Sequence, residues 1–357
     1  MNPAFDSLAG VRTLIDPLFR IRPVIYWLDF IVTMILGWSS FFVAAQISWH
    51  AWIGKLALSF ICAVIFFRGT IFVHELAHIR KTDLVGFQWA WNLFCGMFFF
   101  IPDYTYLPHT FHHRPGSFST IDDPEYIPVP FQRPGEILAP FFIFLFIPFL
   151  MALRFLIVGP ISLVMDGKIR EWVLRHVSTL KMNPFYEWKT ISAPHRRLAA
   201  IEDWLCFLWW MGFGTLYYFF GHLPILIEIY LVMYGVLCIN HLRSLARHRY
   251  INEMGSKVSF EEQILDSVTI GSFSPLAVLL MPIGLRYHSV HHMFPALPYY
   301  SLGHAHTLLQ ANLPSDHMYR KTVVPNFSVA FLNFIRLTYA NQNRGNRVKN
   351  SSGQVLL

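Results

Sequence analysis

Apolar residues run through this chain in stretches of about twenty, the length of helix that crosses the hydrocarbon of a bilayer. Val24–Gln46 and Trp52–Val73 are the first two. Trp204–Phe220 and Leu223–Ile239 form a second, tight pair joined by Gly221-His222. Asp29 lies near the start of the first stretch. Lys55 and Arg68 lie toward opposite ends of the second, where long side chains can snorkel to an interface. Other apolar stretches are interrupted. Leu84–Pro102 is bounded by two histidine-rich motifs, which predicts a re-entrant or interfacial helix. Ile137–Met165 holds Pro140, Pro148, Pro160 and a central Arg154, which predicts a proline-broken hairpin or interfacial helices. Thr269–Leu285 is short and carries Gly and Pro, which predicts a membrane-surface segment.

Charge supplies an orientation. The stretch Asp166–Asp203 carries Lys168, Arg170, Arg175, Lys181, Lys189, Arg196 and Arg197. The chain after Leu285 carries Arg286, Arg320, Lys321, Arg336, Arg344, Arg347 and Lys349. The short links near Trp49 and His222 carry no Lys or Arg. The positive-inside rule then places the N-terminus, the central loop and the C-terminus in the cytoplasm, and requires Ile137–Met165 to cross an even number of times.

Composition agrees with a membrane protein. Only 14% of the 357 residues are charged, against about 25% in soluble domains. The net charge of +7 suits loops facing anionic lipid, and no basic run interleaved with aromatics points to nucleic acid. Cys62, Cys95, Cys206 and Cys238 all sit in apolar runs without CxxC spacing, so they read as buried fillers. The N-terminus lacks the pattern of a cleaved secretory signal, and the C-terminus lacks a prenylation or retrieval motif.

The chemistry lies in the histidines. Of 17, eight fall in three clusters: HELAH (His74, His78), HTFHH (His109, His112, His113) and HSVHH (His288, His291, His292). Residues three and four apart share a helix face, so each cluster aims its imidazoles at one point. One zinc takes about four ligands, fewer than this set offers. Two metals with four or five ligands each fit better, and redox chemistry favours iron, because zinc has none. Glu75, Asp103, Asp122, Asp123 and Glu125 are the nearby acceptors for the far ring nitrogens, which ligating histidines need.

These motifs resemble the HxxxH, HxxHH and HxxHH boxes of membrane fatty acid desaturases, including the interval of about thirty residues between the first two. The resemblance runs from about Tyr26 to about Leu313. It implies an all-α integral membrane fold with four transmembrane helices and a cytosolic helical cap carrying the metal site. It also implies one domain over 1–357, with a core at 24–313 and a C-terminal tail at 314–357. Two Fe ions and O2 as co-substrate are implied, with electrons from a separate ferredoxin or cytochrome b5 type donor. The substrate would be an acyl-lipid, acyl-CoA or acyl-carrier chain. The family often has a further histidine after the fourth span, with an Asn four residues before it that holds a water. In CINHLRSLARHRY, the pair Ser244 and His248 has that spacing, and Asn240 is a poorer match. His248 is therefore favoured as ninth ligand, with His241 its competitor on nearly the same helix face.

Two other activities share parts of the pattern. HELAH also satisfies the HExxH motif of zinc metalloproteases, with Glu75 as general base, but that leaves six box histidines unused. Hydroxylases and ketolases of lipids or hydrocarbons share the boxes. The NYxEHY-like motif of alkane hydroxylases is absent, which tilts the motif reading toward desaturation.

Overall fold

A computed structural model describes residues 8–127, 134–252 and 256–352. The seven N-terminal and five C-terminal residues, which the charge pattern places in the cytoplasm, lie outside the described residues. The fold is almost entirely helical. The strands among the described residues are Thr269–Ile270 and Val323–Val324, paired in parallel with Thr269 opposite Val323. The chain divides into two compact units. The first comprises Arg20–Thr110 and Phe144–Asn240. The second comprises the described parts of Met1–Phe19, Phe111–Ile143 and His241–Leu357.

Among the described residues, four helices are long and apolar enough to cross a membrane: Pro23–Gln46, Trp52–His78, Ile147–Val164 and Leu223–Arg247. Three match the sequence pattern. The fourth is Ile147–Val164, and Trp204–Phe220, which the sequence pattern also marks as a span, is helical throughout. The latter belongs to a 28-residue helix, Ala193–Phe220, whose start carries Pro, His, Arg, Glu and Asp before a run rich in Trp and Tyr. Ile147–Val164 is no hairpin. Pro148 and Pro160 occupy first-turn positions, where a missing N–H costs nothing. A π-helical turn at Arg154–Val158 absorbs the irregularity between them. A single continuous helix at 147–164 stands where the sequence predicts a proline-broken hairpin or interfacial helices.

Within the first unit, buried charges are neutralised by side chains of neighbouring helices. Lys55 does not snorkel. It is fully buried, donates to the Ala44 carbonyl at 2.8 Å and lies 3.5 Å from the Glu228 carboxylate, which also accepts the Ser59 hydroxyl at 2.9 Å. Arg68 pairs with Asp29 at 2.6 Å. The central Arg154 donates to Asp203 of Ala193–Phe220 at 3.1 Å, to the Tyr104 hydroxyl and to Ser178. The Leu84–Pro102 stretch becomes a short helix, Phe87–Trp91, followed by a π-helical turn, Asn92–Gly96. Its irregular carbonyls need donors. Indole N–H groups supply them: Trp38 to Phe94, Trp209 to Leu93 and Trp210 to Met97, at 3.1, 3.0 and 2.9 Å.

The second unit is organised around the parallel pair. Ile270 N–H donates to the Arg286 carbonyl at 2.8 Å, and Gly271 N–H to Val324 at 3.0 Å, so the chain beyond Leu313 is built into this unit. Gly284, at φ +69°, turns the backbone into the third histidine helix, His288–Met293. A side chain there would meet both that unfavoured φ and the Tyr299 carbonyl at 2.7 Å. His306 accepts the Tyr319 hydroxyl at Nδ1 over 2.6 Å. Burial, helped by the Arg286 charge, pushes His306 down to about 4. An unfolded histidine protonates near pH 6.5, so the folded state binds fewer protons between those values and loses stability as pH falls through them. The thermal midpoint of a His306→Gln variant is therefore expected to fall less steeply over that window than the wild type's. Equal slopes would dismiss His306 as the cause.

Candidate metal centre

The second unit holds a compact set of four imidazoles. His112, His248, His288 and His292 are all buried, and their ligand nitrogens lie within 4.8 Å of one another. His112 Nε2 is 3.0 Å from His248 Nε2. His248 and His292 Nε2 are each 3.1 Å from His288 Nε2. Nitrogens on a tetrahedral ion with bonds of about 2.0–2.1 Å lie about 3.4 Å apart, close to this spacing. Burial first, then the adjoining imidazoles, hold His248 and His288 well below the usual histidine range. They are therefore neutral at pH 7, the form that binds metal. Neutral rings crowding their Nε2 atoms together gain little from one another and much from a shared cation, so the donor set fits a metal ion.

The far side of the His112 ring fixes its tautomer. His112 Nδ1 faces the Asp123 carboxylate at 2.9 and 3.0 Å. Asp123 in turn accepts the backbone N–H groups of Ser119, Glu125 and Tyr126, so it is held rigidly. A proton on Nδ1 leaves the His112 Nε2 lone pair for metal. Gln263 donates to the His112 carbonyl and sits 3.0 Å from His292 Nδ1. The motif reading missed Gln263. Its only sequence signal is the capping box of Ser259 and Glu262, which starts the helix that presents it. His248 Nδ1 is buried without a hydrogen-bond partner among the described residues.

Strand pairing brings the donors together. His248 forms an antiparallel bridge with Ser267, and Tyr287 bridges Thr269. The Ser289 hydroxyl ties the third histidine helix to the Ser267 carbonyl at 2.8 Å. One strand thus carries His248 on one side and His288 on the other, although they are forty residues apart in sequence. Arg247, beside His248, is buried against Glu125 in an ion pair.

His241 follows a different course. Its Nε2 lies 3.1 Å from the Ile137 carbonyl, and its ring packs edge-on against Phe141. Ser244 is fully buried one turn before His248, and its carbonyl accepts the Tyr250 hydroxyl. Asn240 is half-buried a further turn back.

The remaining box histidines form two smaller groups. In the first unit, His74, His78 and His109 have ring centroids 4.7 to 5.1 Å apart. Tyr106 stacks on His109 at 4.7 Å. Glu75 Oε1 lies 3.6 Å from His74 Nδ1, while Oε2 accepts the Tyr26 hydroxyl at 2.6 Å. In the second unit, His113 and His291 bring their Nε2 atoms to 3.2 Å. Two of the expected acceptors serve other partners: Asp103 takes the Gln88 and Asn92 amides, and Glu125 takes Arg247. Asp122 is exposed.

A family model described as fatty acid desaturase matches residues 47–323. A ceramide hydroxylase of Caulobacter vibrioides (strain NA1000 / CB15N) is 31% identical to this chain over 332 residues, covering 91% of this chain and 92% of that protein.

Proposed function

This chain belongs to the fatty acid desaturase family, and on that premise we propose that it is an O2-dependent di-iron oxygenase that hydroxylates a saturated carbon of a ceramide-like membrane lipid. The observation that carries the reading is the likeness to a ceramide hydroxylase along nearly the whole of both chains. Desaturation, which the motifs favoured, is the second reading and draws on the family model. Both outcomes begin with removal of hydrogen from an unactivated carbon, so the same donor set serves either.

His112, His248, His288 and His292 would hold one iron, and the other box histidines, His74, His78, His109, His113 and His291, are the remaining candidate ligands. Bound iron supplies the activation of O2, which no side chain here can perform. Asp123 keeps the His112 proton on Nδ1. Ser244, with Asn240 farther back, is the candidate partner of an ordered water beside His248. A separate ferredoxin or cytochrome b5 type protein would deliver electrons. The N-terminus, the histidine boxes and the C-terminus would share the cytoplasmic face. The metalloprotease reading needs Glu75 free to take a proton from water, and the Tyr26 hydroxyl already occupies Oε2.

The test is direct. The purified protein, supplied with reduced ferredoxin, isotopically heavy O2 and a ceramide, should yield a product carrying one heavy oxygen. A product lacking two hydrogens and carrying no heavy oxygen would move the reaction to desaturation. A second measurement bears on the ligands. His248→Ala should lower bound iron and abolish product, while His241→Ala should retain both, because His241 is engaged by Ile137. Full iron in the first variant would remove His248 from the set.

A further inference from the structure

Gln263 is fully buried behind the four-histidine set, on the short helix Phe260–Asp266. The Ser259–Glu262 capping box starts that helix, and the Ser267 hydroxyl returns to the Gln263 carbonyl at 2.9 Å, so the backbone carrying the side chain is held on both sides. The side-chain amide touches two members of the set at once. Its Nε2 lies 3.0 Å from the His112 carbonyl oxygen and 3.0 Å from His292 Nδ1.

Hydrogen-bond accounting assigns the protons. A carbonyl only accepts, so the amide atom facing His112 is the NH2 group and not the oxygen. One N–H goes to that carbonyl, and the other meets the lone pair of His292 Nδ1. A neutral imidazole has one donor and one acceptor nitrogen, so His292 in this arrangement carries its proton on Nε2. That nitrogen lies 3.1 Å from His288 Nε2, to which it can donate. The amide oxygen of Gln263 is left over: Oε1 is buried with no hydrogen-bond partner among the described residues.

A histidine that gives Nε2 to a metal has the opposite tautomer, with its proton on Nδ1 and an acceptor beside it. The acceptor within reach is the unspent Oε1, bonded to the same carbon as the Nε2 that already touches His292. The last torsion of a glutamine side chain is broad, so reorienting the amide is not costly. A turn that keeps Nε2 on the His112 carbonyl and brings Oε1 to His292 Nδ1 gives both amide groups a partner. It also removes the cost of a buried orphan acceptor.

We propose that Gln263 is a positioning residue that selects the tautomer of His292. Its amide turns from donor to acceptor toward Nδ1, one proton leaves Nε2 and one arrives on Nδ1, and the freed Nε2 lone pair joins His112, His248 and His288 around a metal ion. The ring is neutral before and after, so no net charge moves. The inference rests on these four histidines holding a metal, and not on which reaction follows.

Cobalt binding tests it without any turnover. The full-length protein in mild detergent is stripped of metal with a chelator and titrated with Co2+, whose visible absorption reports imidazole ligation. The part of the signal that His288→Ala removes belongs to this set. Gln263→Met keeps the length of the side chain and loses the amide, and should weaken cobalt there by about 10–100-fold, the usual cost of removing the partner of a ligating histidine. Gln263→Glu supplies an acceptor for Nδ1–H and should hold cobalt at least as tightly as wild type. A residue that only filled space would give the reverse order, with methionine the milder change. Equal affinity in wild type and Gln263→Met overturns the role, and so does a folded Gln263→Glu protein that binds cobalt more weakly than wild type. Thermal scans of the stripped proteins establish folding, and the glutamate variant decides alone if the methionine variant does not fold. A wild-type protein that takes up no cobalt at these histidines overturns the metal reading together with this inference.

Discussion

Replacing His288 by alanine is expected to take the purified protein from about two bound irons per chain to about one, and to drop product formation below about 1% of wild type. Even the loss of a group that only orients a ligand typically costs about 10–100-fold in affinity or activity, and a missing ligand costs more. His288 occupies the middle of its set: its Nε2 is 3.1 Å from those of both His248 and His292, in a pocket where it is 1% exposed. Alanine leaves three imidazoles and a cavity that no neighbouring side chain fills with a donor. Metal analysis beside a thermal scan separates ligand loss from misfolding. Two irons retained in a folded His288→Ala protein would contradict the assignment of all four donors to one ion.

The second large effect is on stability. Asp203→Ala is expected to destabilise the first unit by about 3–5 kcal/mol, the usual result of removing one partner from a buried ion pair. Asp203 is fully buried and accepts from Arg154, Arg170 and the Tyr104 hydroxyl, the last at 2.6 Å. Its loss strands two guanidinium groups away from solvent. Glu171→Ala provides the comparison. It breaks a pair with Arg196 whose side chains are 34% and 48% exposed, and should cost less than about 1 kcal/mol. Detergent unfolding titrations would show the difference, and equal losses would mean that the Asp203 network contributes no more than a surface contact.

Legibility in the sequence followed the range of the interactions. The apolar runs at 24–46, 52–73 and 223–239 were readable because a lipid-spanning helix must be apolar over its whole length. The Ile137–Met165 stretch is interrupted at 144–146, but Pro148 and Pro160, which look like breakers when their positions within a turn are unknown, sit inside the helix that follows. Trp204–Phe220 proved to be the apolar end of a longer helix that begins with polar and charged residues at Ala193. Lys55 was read as reaching toward an interface, and no partner was assigned to Arg154. The residues that neutralise them, Glu228 and Asp203, are 173 and 49 positions away in sequence.

The same division runs through the metal site. Sequence alone determined that three clusters of histidine at intervals of three and four present their rings in groups, because helical periodicity is a local property of the chain. It also supplied Asp123 as an acceptor near the second box. The spacing from Ser244 favoured His248 over His241 on nearly the same helix face, and the tertiary structure separates the two rings, placing His248 with His112, His288 and His292. The bridge beside His248, in which Arg249 N–H donates to the Asp266 carbonyl and Val268 N–H to the Arg247 carbonyl, and the tie from the Ser289 hydroxyl to the Ser267 carbonyl bring His248 beside His288, while His241 lies against the Ile137 carbonyl. Gln263 likewise acquires its place beside His292 from packing. Which donors converge is set by backbone pairing between distant segments, and no local period encodes that.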